Sequence, residues 1–178
     1  MLRILTAVTL LGWASAVVAD VEFPLTGDNT TVTFVGSKPN GKHEGGFKKL
    51  TGSAVYDGKD ITTLKLTVDI DMNSTYTDNA KLTGHLKSPD FFGVKSNPKS
   101  KFVSSKVEKS GDGYTVTGKF TLAGQTKTLS FPAKIEASAD GLTLTSDFSI
   151  NRNDHGITYG PGKIDDQVKL SIKLRAKK

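Results

Sequence analysis

The strongest constraint in this chain is an alternation of apolar and polar residues with a period of two, repeated in segment after segment. Leu64, Leu66, Val68, Ile70 and Met72 alternate with Lys65, Thr67, Asp69 and Asp71, and Val168, Leu170, Ile172, Leu174 and Ala176 with Lys169, Ser171, Lys173, Arg175 and Lys177. Successive side chains of a strand point to opposite faces, so each such segment is a strand with one core face and one wet face. The period also runs through Tyr114, Val116, Phe120 and Leu122, through Leu129, Phe131, Ala133, Ile135 and Ala137, and through Leu142, Leu144, Phe148 and Ile150. Weaker strand patterns occupy residues 31–35, 50–57 and 101–109, the last broken by Ser104-Ser105 in the manner of a bulge. Gly111-Asp112-Gly113 and Ala139-Asp140-Gly141 read as hairpin turns.

These patterns predict about eight strands and a single short helix. The helix is expected to be capped by Asp78, to place Leu82 and Leu86 on one face, and to stop at Ser88-Pro89. One short helix cannot cover eight one-faced strands, so the apolar faces must turn toward each other in a closed antiparallel barrel or a two-sheet sandwich. A barrel also removes exposed edges. The predicted fold class is therefore all-β, an eight-stranded antiparallel barrel with one short helix. At that size the interior is either filled by side chains or holds one small ligand. The inward set mixes Phe102, Phe120, Phe131 and Phe148 with Gly118, Ala133 and Ala137, which leaves both readings open.

Residues 1–19 stand apart from this pattern. A positive start at Arg3, an uncharged and largely apolar run from Ile4 to Val18, and small residues before Asp20 read as a secretory signal peptide cleaved near Ala19. The run is shorter than the roughly 20 apolar residues of a bilayer span. The expected organisation is thus a signal peptide over 1–19 and one domain over 20–178, acting in the periplasm or outside the cell. The chain has no Cys, which excludes thiol nucleophiles, thiolate metal sites, disulfides and lipoprotein anchoring. Its formal charge of +6 comes from 24 Lys+Arg and 18 Asp+Glu dispersed along the chain, and gives no ground for a nucleic-acid partner.

Several catalytic or metal motifs fail on inspection. Gly36-Ser37-Lys38-Pro39-Asn40-Gly41-Lys42 starts like a phosphate-binding loop, but His43 stands where a magnesium-binding hydroxyl is needed, and His43-Glu44-Gly45-Gly46 does not open a helix. A mobile loop between strands is the expectation. Asp69, Asp71 and Asn73 have the spacing of a calcium loop, yet Ser74 and Ala80 occupy its glycine and glutamate positions. His43, His85 and His155 lie far apart, and no metal ligand set or catalytic residue is assigned. Asn29-Thr30-Thr31 and Asn73-Ser74-Thr75 are formal glycosylation sequons.

Three segments look unlike plain scaffold. Lys87-Ser88-Pro89-Asp90-Phe91-Phe92 places adjacent aromatics after the helix stop, so at least one should turn inward over an apolar space. Asn151-Arg152-Asn153-Asp154-His155-Gly156 ends a strong strand with a polar cluster that is either a head-group site at a barrel mouth or a turn held by an Arg152–Asp154 pair. Gly41 to Phe47, with three glycines, is a candidate flexible gate.

At these residues the chain resembles the YceI-like family of secreted lipocalin-like barrels. The resemblance rests on His85-Leu86-Lys87-Ser88-Pro89-Asp90-Phe91-Phe92, on Asn97-Pro98 before Lys101-Phe102, on residues 114–127, on 150–156 and on the strand from Asp166 to Leu170, in order along nearly the whole chain after residue 19. It implies a barrel with the helix near its mouth, enclosing an apolar tunnel for a polyisoprenoid or quinone-like lipid. Residues matching the family's motifs are His85, Phe91 and Phe92 on the helix side and Asn151, Arg152 and Asp154 at the strand end. The chain departs from the family in a glycine-rich first hairpin and in His155, both near the expected mouth.

The sequence therefore predicts an apolar-lipid binding protein without catalysis. Its ligand wall is assigned to Leu66, Val68, Ile70, Leu82, His85, Leu86, Phe91, Phe92, Phe102, Phe120, Phe131, Phe148, Ile150, Asn151, Arg152 and Asp154. No cofactor is required beyond the lipid itself. The expected partner is an apolar isoprenoid lipid, with transient contact to a membrane surface, and the protein is a monomer or homodimer. The alternative is a stress-related interaction module with a filled barrel, acting through its basic outer surface.

Overall fold

A computed structural model describes residues 20–178. The predicted signal peptide, with Trp13, lies outside the described residues. Eleven strands form one antiparallel sheet: β1 (Val21–Thr26), β2 (Thr30–Lys38), β3 (Gly41–Phe47), β4 (Leu50–Tyr56), β5 (Lys65–Asp71), β6 (Thr75–Thr77), β7 (Lys99–Ser110), β8 (Gly113–Leu122), β9 (Gln125–Ala137), β10 (Gly141–Asn151) and β11 (Gln167–Lys177). Among the described residues the one α-helix, α1, spans Ala80–Lys87 between β6 and β7.

The count exceeds eight because β1, β3 and β6 each continue a neighbouring strand across a bend; β3 and β6 carry little apolar alternation, whereas β1 alternates plainly, with Phe23 and Leu25 buried, and the sequence reading passed over it. Their order in the sheet, β1-β4-β5-β7-β8-β9-β10-β11-β2-β3-β6, puts β1 on one side and β2 on the other. Three chain-adjacent pairs, β1–β2, β3–β4 and β5–β6, turn the corner together, so the two ends of the order are joined through these bends rather than by a ladder between β1 and β6. Asn29 fixes the first corner: its Oδ1 accepts from the Thr26 amide at 2.9 Å and its Nδ2 donates to the Pro24 carbonyl at 2.9 Å. At the next, the Lys48 amide donates to the Ser74 carbonyl and the Asp71 amide to the Lys49 carbonyl. Counted through the bends, the barrel has eight walls.

Two segments expected to be mobile are strand. Residues 36–42 belong to the β2–β3 hairpin, with Lys38 opposite Gly41, and the candidate gate from Gly41 to Phe47 is β3, paired on both sides. Its glycines make room rather than confer motion. A Cβ on Gly45 would stand 2.6 Å from Cζ of Phe34, whose ring fills that space. Gly118 plays the same part on β8, where a Cβ would stand 2.6 Å from Cζ of Phe102. The irregularity at Ser104-Ser105 is a register shift between β7 and β8, and the Ser104 hydroxyl accepts from the Leu66 amide at 2.8 Å.

The helix start also differs by one residue. Asn79, not Asp78, caps α1, its Oδ1 accepting from the Leu82 amide at 3.0 Å. Asp78 is drawn instead to the ring of His43, at 2.9 Å, and to the Glu44 amide. That hydrogen bond with His43 holds the Asp78 carboxyl below its ordinary pKa.

The wall between β9 and β10 is laddered only in part. β9 pairs with β8 along Gln125–Ala133, but with β10 only from Lys134 to Ala137. Pro132 has no amide to donate, and the ladder stops beside it. There the Ser146 hydroxyl donates to the Pro132 carbonyl, while a 3-10 turn, Arg152–His155, packs into the gap.

Candidate functional site

Inside the barrel lies an apolar cavity of about 340 Å³, near the lower end of the roughly 300–1,000 Å³ usual for small-molecule sites. The interior is hollow rather than filled. The alternation read from the sequence positions most of its wall: Leu66, Val68 and Ile70 face it from β5, and Phe102, Phe120, Phe131, Phe148 and Ile150 from β7 to β10. Phe131 and Phe148 stack with centroids 4.8 Å apart, and Phe102 tilts against Phe131 at 5.5 Å.

The helix closes one end. Leu82 and Leu86 face the cavity, and the chain then folds back, with the Phe92 amide donating to the Leu86 carbonyl at 3.0 Å. This turns Phe92 inward against Phe34 and Phe47, and leaves Phe91 at the rim beside His85 and Tyr159, ring centroids 4.9 and 5.3 Å away. Gly36, Ser37, Lys38 and His43, from the β2–β3 hairpin, complete that end.

Three of the assigned residues do not reach the cavity. His85 bonds Asp90 at 3.0 Å at the rim. Asn151 accepts from the Asn153 amide and caps the 3-10 turn, and Asp154 is exposed on it. Arg152 touches the cavity, but the expected Arg152–Asp154 pair is absent. Its partner is Asp166, at 3.0 Å, and its remaining donors go to the carbonyls of Asp165, Ile157, Tyr159 and Ile164. All five N–H groups of the guanidinium are thereby used within the chain. Arg152 organises the segment from Ile157 to Asp166 and has no donor left for a head group.

His155 is buried beneath that turn, its ring edge-on to Phe120 at 5.1 Å and its Nδ1 facing the Gln125 carbonyl at 3.4 Å. Burial pushes its pKa below the usual histidine value, outweighing the raising effect of the carbonyl.

Polar atoms in the wall are satisfied locally. The Thr30 hydroxyl donates to Asn29 Oδ1 at 2.9 Å, and the Ser100 hydroxyl to the Thr121 carbonyl at 2.7 Å. Among the described residues no buried side-chain nitrogen or oxygen lacks a partner. Away from the end framed by Ser37, Lys38 and His43, nothing in the wall asks for a polar ligand group.

The sequence reading missed part of this site. Val168, Leu170, Ile172 and Leu174 line it from β11, and their alternation was legible but not assigned to a ligand wall. Leu129, Phe34 and Val32 belong in the same class. Ile157 and Ile164 sit in an irregular segment where no period marks an inward residue.

A curled antiparallel barrel with one short helix at the mouth and an apolar interior defines a lipocalin-like barrel. The chain belongs to the YceI-like family, whose domain model matches residues 23–176. It is 31% identical to a UPF0312 protein of Serratia proteamaculans over 94% of this chain and 93% of that one, and 35% identical to a UPF0312 protein of Pectobacterium atrosepticum over 72% and 68%. Among solved structures it resembles Burkholderia cenocepacia BcnA, with a TM-score of 0.77 and 25% identity over 83% of this chain and 96% of that one. It also shares its fold with a polyisoprenoid-binding domain from Saccharophagus degradans, implicated in plant cell wall breakdown (TM-score 0.70, 15% identity, 88% and 98% covered).

Proposed function

We propose that this protein binds an isoprenoid-type lipid, such as a quinone-like prenyl compound, by its apolar tail and carries or sequesters it without chemical change. The observation that carries this reading is the cavity itself: a space of about 340 Å³ with an almost wholly apolar wall, where no buried side-chain polar atom among the described residues lacks a partner. A tail that buries its surface there gains about 25 cal/mol per Å² and needs no polar partner. The Saccharophagus degradans neighbour, a polyisoprenoid-binding domain, supports the same ligand class.

The tail lies in the barrel, and the head group stays at the end framed by Lys38, His43 and Phe91. In this reading the lipid is cargo rather than a cofactor. The signal-like pattern of residues 1–19 supports work outside the cytoplasm, in the periplasm or beyond, where a barrel that shields an apolar tail lets it cross water.

Native mass spectrometry of protein purified from its exported fraction without detergent tests the reading, followed by solvent extraction of whatever is released. A stoichiometric mass increment spaced by isoprene units is expected. A bare chain that also fails to take up added prenyl lipid would overturn it.

A further inference from the structure

The outward row of β11 is the most uniform charged feature on the barrel. Its alternation points Lys169, Ser171, Lys173, Arg175 and Lys177 away from the cavity, and the four cations are exposed. None of the four takes part in an ion pair among the described residues. Lys134 on β9 reinforces the row, reaching Lys173 across Thr145. The acids facing this wall are Glu136, Asp140 and Asp147, with Glu44 on β3 beyond Val35 and paired to Lys42, so with Lys42 and Lys178 the wall carries seven cations against four carboxylates.

We propose that this row docks a linear acidic polysaccharide. The shape is that of an extended partner: a line one residue wide and roughly 26 Å long at about 3.3 Å per residue, with alternate side chains about 7 Å apart. The flanking outward positions suit a sugar chain, because Thr143, Thr145 and Ser149 on β10 and Thr31 and Thr33 on β2 present hydroxyls beside the cations. A shallow depression of about 370 Å³ runs beside the Lys169 end, between Thr33, Asp147 and Ser171.

Other polyanions fit less well. Single-stranded nucleic acid is held by aromatic stacking as well as charge, and no aromatic residue points outward from β10, β11 or β2. A peripheral membrane face carries apolar or aromatic anchors among its cations, whereas the apolar neighbour of this row, Val35 opposite Lys169, is partly covered. The proposal is independent of the lipid reading, since the row lies on the opposite face of the strand from the cavity wall.

The test is binding to polygalacturonate at low salt, followed by elution with sodium chloride. Wild-type protein is retained and released by salt, as an exposed electrostatic contact requires. Replacing Lys169, Lys173, Arg175 and Lys177 together by Thr, which keeps strand propensity, lowers affinity roughly thirtyfold, each exposed ion pair contributing a factor of about two to three. A control with the same loss of charge elsewhere, Lys65, Lys95, Lys99 and Lys119 to Thr, stays within about twofold. The single reversal Lys173→Glu, which leaves the rest of the strand intact, lowers affinity about fivefold or more and serves if the fourfold variant does not fold. Equal losses in row and control variants, no retention of the wild type, or tighter binding to phosphatidylglycerol vesicles than to polygalacturonate would each overturn the proposal.

Discussion

Arg152 gives the last of its five donors to the carboxylate of Asp166, at 3.0 Å, after spending the other four on main-chain carbonyls of the segment that ends there. A cation buried with that many partners acts as a clasp. Replacing it by Met removes the charge and leaves four carbonyls and a carboxylate without their donor, at a cost of about 3–5 kcal/mol. Arg152→Lys should recover only part, because an ammonium cannot reproduce the planar fork. Urea denaturation of both variants checks this, and a Met variant as stable as the wild type would contradict the clasp.

His155 makes acid a destabilising condition. Its buried imidazole resists protonation below the ordinary value of 6.5, whereas the unfolded chain takes up a proton there. Stability is therefore unaffected by this group at higher pH and declines as pH falls through about 6.5 toward the folded pKa. The melting temperature of His155→Phe, which keeps a ring against Phe120, should fall less than that of the wild type between about pH 7.5 and 5. Parallel curves would sink the assignment, since His43 and His85 are present in both proteins.

A larger side chain in the wall should separate ligand uptake from folding. Leu129 faces the cavity and is only partly buried. Leu129→Trp should occupy part of the space and lower prenyl-lipid uptake about tenfold, at a folding cost of no more than about 1–3 kcal/mol. Uptake measured by fluorescent prenyl displacement, with the thermal midpoint alongside, tells the two effects apart. Unchanged uptake would place the ligand elsewhere.

Gly118 sets the position of the Phe102 ring. A Cβ there would press on that ring and on the Val103 carbonyl, and strand backbone cannot retreat as a side chain can. Gly118→Ala should destabilise by about 1–3 kcal/mol. Because Phe102 lines the cavity, it should also change uptake, which calorimetry and the same displacement assay would show together.

The barrel and much of its wall were legible because a half-buried strand writes its geometry into every second residue. The inward aromatics of β7 to β10 follow directly from that code. β3 did not, because Gly45 serves the ring of Phe34 in space and a glycine in sequence looks like a hinge. Asp78 was misread as the helix cap for a related reason: its partner, His43, is brought to it by the β3–β6 pairing, and only Asn79 was left to bond the free amides. Arg152 was read as free to meet a ligand because the groups that saturate it are mainly carbonyls, which no side-chain pattern records.

The short pairing of β9 with β10 has a mechanical meaning. A barrel hydrogen-bonded on every side has a fixed girth, since widening it anywhere breaks a run of main-chain bonds. Here the two strands part after Thr145 and Lys134, and the seam beyond is stitched by the Ser146 hydroxyl and the wedged ring of His155. Along that half-seam no run of main-chain bonds ties β9 to β10, so there the sheet alone does not fix the circumference of the barrel.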